Sequence, residues 1–595
     1  MIKKFVKKYF YYFSYFYRFL GYRLLISFGL SMGVALMDGL GLTLFLPLLQ
    51  MIDGGQGSGE GLGKLSFLLD GLEAVGIPLT ILSILLLMVI FFGIKGIFKF
   101  VETYYKVVVR QYFIQKLRYQ NIDLIVGFSY KSFVLSDSGK IQNTLSGEME
   151  RVVNALSFYS NVIQAGAMVL VYTLLALTVN IQFTLLVMAG GLLSNLVFAQ
   201  LYKKTKGYSK QITDLNHGFQ GLLIQKVAFF KYLKATGSLE SFGKKLKSKV
   251  VDIEKSVKKI GILGAAMHGF REPLIVIIVV SVILIETQLF GGSLSAIILS
   301  LLFFYRALTY LTSLQTFWNA LLTYHGSLEN LNEFVVELRS GKDRQGKIML
   351  SQFEKEMVFR HVGFSYNQTV ILEDISLVLP KNQTLALVGE SGSGKTTLIN
   401  LMAGLALPDI GEILVDGVSM SALNRNSLQR RIGYITQEPV IFSDTVFNNV
   451  TFWDADTAEN RKRCQTALEK AAVWTFIAGL PDQADSLLGT NGIMVSGGQK
   501  QRISIARELY KEVDILLMDE ATSALDSETE RMIQENIEAL KGQYTIVIIA
   551  HRLSTVKNAD HILLLQAGRI QQAGNFQELF EHSGSFKKMV ELQEF

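Results

Sequence analysis

The chain has 595 residues, of which 50% are hydrophobic and only 18% are charged, and its mean hydropathy is +0.32. Chains of this length divide into several domains rather than building one core. The apolar content excludes an intrinsically disordered chain. The single cysteine, Cys464, excludes an intrachain disulfide framework and a cysteine-based metal cluster. The net charge of +7 would suit nucleic acid, so its position along the chain must be examined.

The first half of the sequence contains apolar runs long enough to cross a membrane. Residues 152–202 contain no Asp, Glu, Lys or Arg. Because a spanning helix needs about 20 apolar residues, this run predicts two helices with a turn near Asn180. With the other apolar runs the sequence predicts six spans, at about 24–49, 77–100, 152–178, 182–202, 262–287 and 293–318.

The distribution of lysine and arginine predicts the orientation of these spans. Four lysines lie within residues 3–8, and residues 203–259 contain fourteen lysines against four acids, whereas residues 50–76 contain four acids and one lysine. Since loops rich in Lys and Arg stay cytoplasmic, both termini are predicted inside. This topology explains the basic charge, and we therefore expect no nucleic-acid partner.

The N-terminus does not resemble a cleaved signal peptide. Its lysines are followed by aromatic residues from Tyr9 to Tyr17, without a short apolar core and a cleavage site. This composition favours an amphipathic helix at the inner membrane interface, although the segment could also begin the first span. In the loop 50–76, the run Leu65–Leu72 could form a short external helix or a plain loop.

The second half has the composition of a soluble α/β domain. We divide the chain into a transmembrane domain at 1–328, a linker at 329–353 and a nucleotide-binding domain at 354–595. Strand-like apolar runs are Thr384–Val388, Ile432–Thr436, Ile515–Met518 and Thr545–Ile549.

A phosphate-binding loop follows the first of these strands. Gly389-Glu390-Ser391-Gly392-Ser393-Gly394-Lys395-Thr396 matches G-x-x-x-x-G-K-[ST] and leads into an apolar helical run. The glycines let backbone N–H groups surround phosphates at the start of a helix. We expect Lys395 to reach the β- and γ-phosphates of ATP and the Thr396 hydroxyl to face Mg²⁺.

Two carboxylates end a later buried strand. Asp519 and Glu520 follow the run Ile515–Met518, some 120 residues after the phosphate loop. At this spacing we expect Asp519 to hold Mg²⁺ and Glu520 to orient or deprotonate the attacking water.

A third motif distinguishes the type of ATPase. Val495-Ser496-Gly497-Gly498-Gln499 places a Ser-Gly-Gly-Gln loop at the start of a helix, where it offers a second anion site. With six spans before one cassette, nearly the whole chain resembles an ATP-binding cassette (ABC) half-transporter of the exporter type, similar to lipid-linked oligosaccharide flippases and multidrug exporters. The resemblance implies an all-α six-helix transmembrane domain with long cytoplasmic extensions, followed by an α/β P-loop ATPase domain.

The resemblance also implies roles for single residues. Tyr366 resembles the aromatic residue that stacks on adenine, Gln437 the Q-loop glutamine, and His551 the switch histidine. Ser523–Asp526 resembles the D-loop. The implied catalytic residues are Glu520, His551 and Gln437, and the implied metal contacts are Thr396, Gln437 and Asp519. The implied ATP contacts are Tyr366, Gly389, Ser391, Gly392, Ser393, Gly394, Lys395, Thr396, Thr397, Ser496, Gly497, Gly498, Gln499 and Asp526.

Two positions depart from the family pattern. Val495 stands where the family usually has Leu, and Ser486–Gly492 lacks the two acids and the arginine that exporters often carry before the signature. The resemblance therefore does not extend to the charged contacts that this segment makes with cytoplasmic loops in exporters.

One chain carries one cassette, and in this family the signature closes on ATP held by another subunit. The resemblance thus implies a dimer: a homodimer, since every catalytic element is present, or a heterodimer with a second chain. ATP binding would draw the cassettes together, and cytoplasmic loops would pass this closure to the spans. Our candidates for the coupling helices are Ser129–Ser136 and Asn216–Leu223.

The substrate is indicated by charges within the spans, which are costly unless they have a function or a partner. Asp38 lies in the first span and Arg306 in the sixth. An arginine facing a cavity suits a phosphate headgroup, but Arg306 could instead pair with Asp38, Glu286 or another acid and only hold helices together. For Lys95, Arg271 and Glu272 we expect snorkelling or pairing.

These observations favour ATP-driven flipping or export of an amphipathic substrate, such as a lipid or lipid-linked glycan, across the inner membrane. A multidrug or peptide exporter is the alternative. A soluble ABC ATPase or a regulator is a remote alternative, because the six spans and the catalytic residues are all present.

Overall fold

The computed structural model describes residues 2–44, 80–179, 181–289, 294–489, 492–519, 531, 535, 538–550 and 556–591. The chain divides into two compact units. The first comprises Met1–Gly127 and Ser136–Gly341, and the second comprises Phe128–Leu135 and Lys342–Phe595. A short segment from the first half of the sequence therefore belongs to the second unit.

From Ile2 to Ser340 the described chain forms helices. They are α1 (Ile2–Leu20), α2 (Tyr22–Thr43), α3 (Ile81–Val126), α4 (Tyr130–Leu135), α5 (Ser138–Asn143), α6 (Met149–Val179), α7 (Ile181–Ala228), α8 (Phe230–Ala235), α9 (Leu239–Leu289), α10 (Leu294–Leu322) and α11 (His325–Ser340), with a π-helical turn at Thr144–Glu148.

Several of these helices are much longer than a membrane requires. Helices α3, α7 and α9 have 46, 48 and 51 residues, against the roughly 20 that cross a bilayer. Among the described residues four stretches are long and apolar enough to span, namely Tyr22–Thr43, Ile81–Val126, Ser138–Thr178 and Leu239–Ile285. The other two predicted spans lie in α7 and α10. The helical membrane domain with long extensions is thus confirmed.

The N-terminal segment is a helix separate from the first span. Gly21 adopts φ +57° between α1 and α2, a left-handed conformation that glycine tolerates without a steric penalty. On α1, Tyr12 and Phe16 are buried, and the Phe16 ring lies 5.1 Å from that of Tyr159, centroid to centroid. The location of α1 at the membrane interface stays a prediction. The run 65–72, predicted as a short external helix or a plain loop, lies outside the described residues.

One of our two predicted coupling helices is wrong. Asn216–Leu223 lies inside α7, which continues without a break to Ala228. No proline interrupts it, and Gly221 serves a close helix contact instead, because a Cβ on Gly139 would lie 2.7 Å from the Cα of Gly221. The other predicted segment, Ser129–Ser136, contains the short helix α4.

The remainder of the second unit combines two sheets with short helices. The strands are β1 (Glu356–Tyr366), β2 (Thr369–Pro380), β3 (Thr384–Val388), β4 (Ile410–Val415), β5 (Val418–Ser419), β6 (Ile432–Ile435), β7 (Ile515–Asp519), β8 (Thr545–Ile549), β9 (His561–Gln566) and β10 (Arg569–Gly574). The helices are α12 (Lys395–Met402), α13 (Arg425–Arg430), α14 (Val446–Thr451), α15 (Ala458–Lys470), α16 (Trp474–Ala478), α17 (Gly497–Tyr510), α18 (Phe576–His582) and α19 (Gly584–Glu591).

The larger sheet has the order β10-β9-β3-β8-β7-β6, and its five strands from β9 to β6 are parallel. The smaller, antiparallel sheet has the order β2-β1-β4-β5. Every residue of β3 is buried. Side chains alternate between the two faces of a strand, so Ala386 and Val388 enter one hydrophobic core while Leu385 and Leu387 enter the other.

His325, at the start of α11, is a buried histidine that links α11 to α1. Its Nδ1 lies 2.9 Å from the Tyr12 hydroxyl of α1, and its Nε2 lies 2.9 Å from Glu329 Oε1. Burial lowers the pKa of His325 to about 4, and Lys206 and Lys210 of α7 add to this against the opposing effect of Glu329. The imidazole is therefore neutral at pH 7.

We expect acid to destabilise the first unit through His325. Unfolded histidine binds a proton near pH 6.5, whereas the folded imidazole binds one only near pH 4. Stability from this group is therefore complete above pH 6.5 and is lost as the pH falls towards 4, by on the order of 3 kcal/mol. In detergent, the fall in Tm between pH 7.5 and pH 5 should be smaller for His325→Gln than for the wild type. An equal fall in both proteins would contradict this assignment.

Candidate functional site

The parallel strands of the larger sheet bring the ATPase motifs to one edge. In the pairing register Leu387 of β3 lies beside Ile549 of β8, and Ile549 lies beside Asp519 of β7. Met518 lies beside Ile435 of β6. Because parallel strands end at the same side of a sheet, the phosphate loop after β3 and Gln437 after β6 lie at the same side as Asp519 and Ala550. Glu520 and His551 directly follow those two residues in the sequence and lie outside the described residues.

The phosphate loop needs glycine at two positions for steric reasons. Gly389 has φ +148°, and a Cβ there would lie 2.1 Å from the Leu565 carbonyl oxygen. Gly394 has φ +101°, and its Cβ would lie 2.6 Å from Leu372 Cδ2. The Lys395 ammonium donates to the carbonyl oxygens of Gly389 and Glu390 at 2.8 Å each, which closes the loop around it.

The loop contains a buried hydroxyl with no protein partner. Ser393 is 4% exposed, and its Oγ has no hydrogen-bond partner among the described residues. A buried polar atom without a partner costs free energy, and a phosphate oxygen would satisfy it. Ser391, Gly392 and Thr396 are exposed around it, and Thr397 is half-buried. The residues of the loop thus fit the phosphates of ATP.

The other predicted nucleotide contacts lie on the same unit. Tyr366, at the end of β1, is half-buried with its ring edge-on to Phe364 at 5.0 Å between centroids. Gln437 is exposed two residues after β6. Burial and the nearby Asp519 carboxylate raise the pKa of Tyr434, which keeps that phenol protonated beside the predicted metal ligand.

The Ser-Gly-Gly-Gln motif forms the first turn of α17 and caps it. Ser496 Oγ accepts from the Gln499 N–H at 3.4 Å, and Gln499 Oε1 accepts from the Ser496 N–H at 2.8 Å. This capping box fixes the loop. Ser496 and Gly497 are exposed and Gly498 is half-exposed, so the turn faces outward from the unit.

The segment that departs from the family pattern is anchored by apolar contacts. Leu488 and Val495 are buried in the same hydrophobic core, while Leu487 is exposed. Thr490 and Asn491 lie outside the described residues, as do Glu520, Asp526 and His551.

A second polar cluster lies within the membrane helices. Asp38 of α2 is 2% exposed and forms an ion pair with Lys95 of α3. Its Oδ2 accepts from the hydroxyls of Tyr172 on α6, at 2.8 Å, and Tyr310 on α10, at 3.3 Å. Sequence reasoning singled out Asp38 but missed both tyrosines, since no motif joins residues so far apart. The pairing that we expect for Lys95 is confirmed.

Arg306 lies one helical turn before Tyr310 on α10. It is half-buried and forms no ion pair or hydrogen bond among the described residues, so it is not the partner of Asp38. The side chain of Glu286, the other acid named as a partner for Arg306, is not among those that the structure describes. Arg271 behaves differently, because its guanidinium donates to the Thr312 carbonyl oxygen of α10 at 3.0 Å.

These features define a multi-pass membrane protein with a P-loop ATPase domain. A family model for the ABC transporter transmembrane region matches residues 8–313, and an ABC transporter family model matches residues 372–523. The chain therefore belongs to the ABC transporters. It is a half-transporter that binds and hydrolyses ATP on the cytoplasmic side and couples hydrolysis to transport.

The chain is similar to curated proteins over most of its length. It is 29% identical to the heterocyst differentiation ATP-binding protein HepA of Nostoc sp., over 80% of this chain and 79% of that one. It is 27% identical to an ATP-dependent lipid A-core flippase of Ralstonia nicotianae, over 84% and 85%. A solved bacterial Atm1-family ABC exporter with ATP bound shares the fold, with a TM-score of 0.75 at 23% identity over 97% and 99%.

Because the Ser393 hydroxyl has no partner among the described residues, replacing it should change protein stability and ATP affinity in opposite directions. Ser393→Ala should stabilise the nucleotide-free protein slightly, because it removes an unsatisfied buried group. It should weaken ATP binding roughly tenfold, because a charge-assisted hydrogen bond to phosphate is lost. Melting curves and nucleotide titrations measure the two effects.

Thr384 provides the matched control. Its Oγ1 is also buried without a partner among the described residues, but it lies at the opposite end of β3 from the loop. Thr384→Val should therefore leave ATP affinity unchanged. Equal ATP affinities for Ser393→Ala and the wild type would exclude the phosphate contact.

Proposed function

We infer that the chain works as a homodimer that flips an amphipathic, phosphate-bearing lipid or lipid-linked glycan across the cell inner membrane. The observation that carries this proposal is Arg306, a cation in a membrane helix without a partner among the described side chains. The full-length similarity to a lipid A-core flippase agrees with such a substrate. Heterodimerisation and multidrug or peptide export are the alternatives.

The nucleotide site assigns tasks to the residues of the sheet edge. Lys395 and the phosphate loop would hold the phosphates, and Tyr366 would stack on adenine. Thr396, Gln437 and Asp519 supply the oxygen ligands that Mg²⁺ prefers, and the metal would neutralise developing charge on the phosphates. Glu520 would orient the attacking water, and His551 would contact the γ-phosphate.

The outward position of the signature turn supports the dimer. The N–H groups at the start of α17 and the small residues Gly497 and Gly498 form an exposed surface that a phosphate group can approach. The turn faces away from its own unit, so its ligand would be a nucleotide held by a second copy. Asp526 would lie beside it. Each subunit would then complete the site of the other.

Helix α4 supports a route from the nucleotide to the membrane helices. The Lys131 ammonium donates to Asp409 Oδ1 at 2.8 Å and lies 4.7 Å from the Phe364 ring centroid. Asp409 Oδ2 also accepts from the Ser365 N–H at 2.8 Å. Ser365 directly precedes Tyr366, so movement at the adenine would reach α4, which the chain connects to α3 and α5.

The polar cluster around Asp38 supports an anionic substrate. Lys95 and two tyrosine hydroxyls satisfy the Asp38 carboxylate, so Asp38 would serve the substrate indirectly by fixing the helices around Arg306. Arg306 keeps its own charge uncompensated among the described side chains. A guanidinium binds phosphate with two parallel hydrogen bonds, which suits a lipid phosphate or pyrophosphate headgroup.

The substrate proposal predicts a change in the lipid that is purified with the protein. Glu520→Gln should bind ATP without hydrolysing it and should retain a phosphate-bearing glycolipid that mass spectrometry detects. Adding Arg306→Gln should reduce this lipid roughly tenfold, because a charge-assisted contact is lost. Arg306→Lys should keep part of the binding.

Bulk membrane lipid in all of these preparations would leave the flippase proposal without support and would favour drug or peptide export.

The oligomeric state is tested by measuring the molecular mass of Glu520→Gln in solution with ATP. The homodimer requires twice the mass of one chain. A persistent monomer with ATP would contradict the homodimer.

The contact between Lys131 and Asp409 predicts an effect on coupling. Lys131→Met should lower lipid-stimulated ATPase activity roughly two- to fivefold, the range expected for one partly exposed ion pair, while ATP affinity stays close to that of the wild type. Arg360→Met is the control, because Arg360 forms an exposed pair with Glu412 on the same sheet. Equal losses of ATPase activity in both variants would show that the α4 contact has no specific role in coupling.

A further inference from the structure

A basic and aromatic surface lies where α2 begins and α3 leaves the membrane. We call it the α2–α3 basic surface, formed by Tyr22, Arg23, Tyr112 and Lys116. The Arg23 guanidinium carbon lies 3.6 Å from the Tyr112 ring centroid and 5.7 Å from that of Tyr22. The Lys116 ammonium lies 5.7 Å from the same Tyr112 centroid. Two cations therefore converge on one aromatic ring.

The contacts between α2 and α3 place this surface at the cytoplasmic interface. Asp38 pairs with Lys95 and, further along, Ser31 donates to Glu102 at 2.7 Å, so the two helices run antiparallel. The apolar stretch of α2 that can span a membrane begins at Tyr22, and Arg23 packs against Tyr112 of α3. Because the lysines of α1 and Arg18 precede this stretch, Tyr22 and Tyr112 lie at the cytoplasmic end of the span, where hydrocarbon gives way to lipid headgroups.

Within the described part of the chain, the cations of this surface have no acidic partner. Among the described residues neither Arg23 nor Lys116 forms an ion pair, and Lys116 Nζ donates instead to the Phe19 carbonyl oxygen at 2.7 Å. The nearby carboxylate of Glu102 is already bound by Lys99 and Lys106, at 2.8 and 2.9 Å. The surface therefore offers positive charge to a ligand from outside.

An apolar stripe extends from this surface towards the middle of the membrane. Val101, Tyr104 and Val108 are exposed at helical spacing on α3, in line with Tyr112. The stripe fits an extended acyl chain.

We propose that the α2–α3 basic surface binds an anionic glycerophospholipid of the inner leaflet. Arg23 and Lys116 hold its phosphate over the Tyr112 ring, and an acyl chain lies along the stripe above. Aromatic residues and cations at a membrane interface are a combination that anchors proteins to anionic headgroups. Arg23 lies about four helical turns along α2 from Asp38, whose partner Tyr310 neighbours Arg306. The site is therefore separate from Arg306, so it holds a bound lipid rather than cargo.

Native mass spectrometry of the full chain, titrated with phosphatidylglycerol and separately with phosphatidylcholine, tests this proposal. The wild type should retain phosphatidylglycerol at least tenfold more tightly than phosphatidylcholine, since each interfacial cation attracts anionic lipid. Arg23→Gln with Lys116→Gln should remove this preference. Arg118→Gln is the matched control, because Arg118 is exposed on α3 about 200° around the helix from Lys116.

Several outcomes would overturn the proposal. The double variant could bind phosphatidylglycerol as tightly as the wild type, or Arg118→Gln could lose as much as the double variant. The same spectra report the oligomeric state, so loss of the dimer in the double variant would assign the surface to a second subunit instead. If the double variant does not fold, Lys116→Gln alone provides the test. Lys116 is exposed, so this variant should keep the fold. It should still reduce the preference for phosphatidylglycerol severalfold.

Discussion

A carboxylate among membrane helices must be satisfied where it lies, because hydrocarbon offers it no hydrogen bonds. Asp38 receives its contacts from three other helices: an ammonium from α3 and one hydroxyl each from α6 and α10. Close approach makes this possible, since a Cβ on Gly39 would lie 2.8 Å from Leu175 on α6. Lipid gives apolar side chains no hydrophobic drive to associate, so close packing and interhelical hydrogen bonds must hold the helices together. The Asp38 cluster therefore gives the four helices one directional arrangement, and it sets the surroundings of Arg306.

Much of the fold could be predicted because its signals are local. The strands Thr384–Val388, Ile432–Ile435 and Ile515–Asp519 were visible as apolar runs, since a parallel strand that is covered on both faces needs no polar residues. The membrane helices were visible as uncharged runs. The continuation of Asn216–Leu223 inside α7 was not visible. Whether a polar amphipathic segment turns or continues depends on its neighbours, here the close contact between Gly139 and Gly221.

The two candidate sites also differ in how far the sequence alone reveals them. The phosphate loop is a contiguous motif whose steric demands fall on Gly389 and Gly394, so its place at the end of β3 could be read from the sequence. The cluster around Asp38 joins residues that are 57, 134 and 272 positions apart. Such a constellation exists only after the helices assemble, and Tyr172 and Tyr310 look like ordinary aromatic residues of a membrane helix until then.

The chain crosses between its two units more than once, because Phe128–Leu135 lies in the second unit while its flanking helices α3 and α5 lie in the first. A protein cut at Gly341 would therefore not yield an intact ATPase fragment. The excised C-terminal part would expose the Phe364 face and leave Asp409 without its lysine. During biosynthesis the same arrangement imposes an order: α4 leaves the ribosome some two hundred residues before β1 and its neighbours, so the cassette completes its surface around a segment that is already anchored in the membrane.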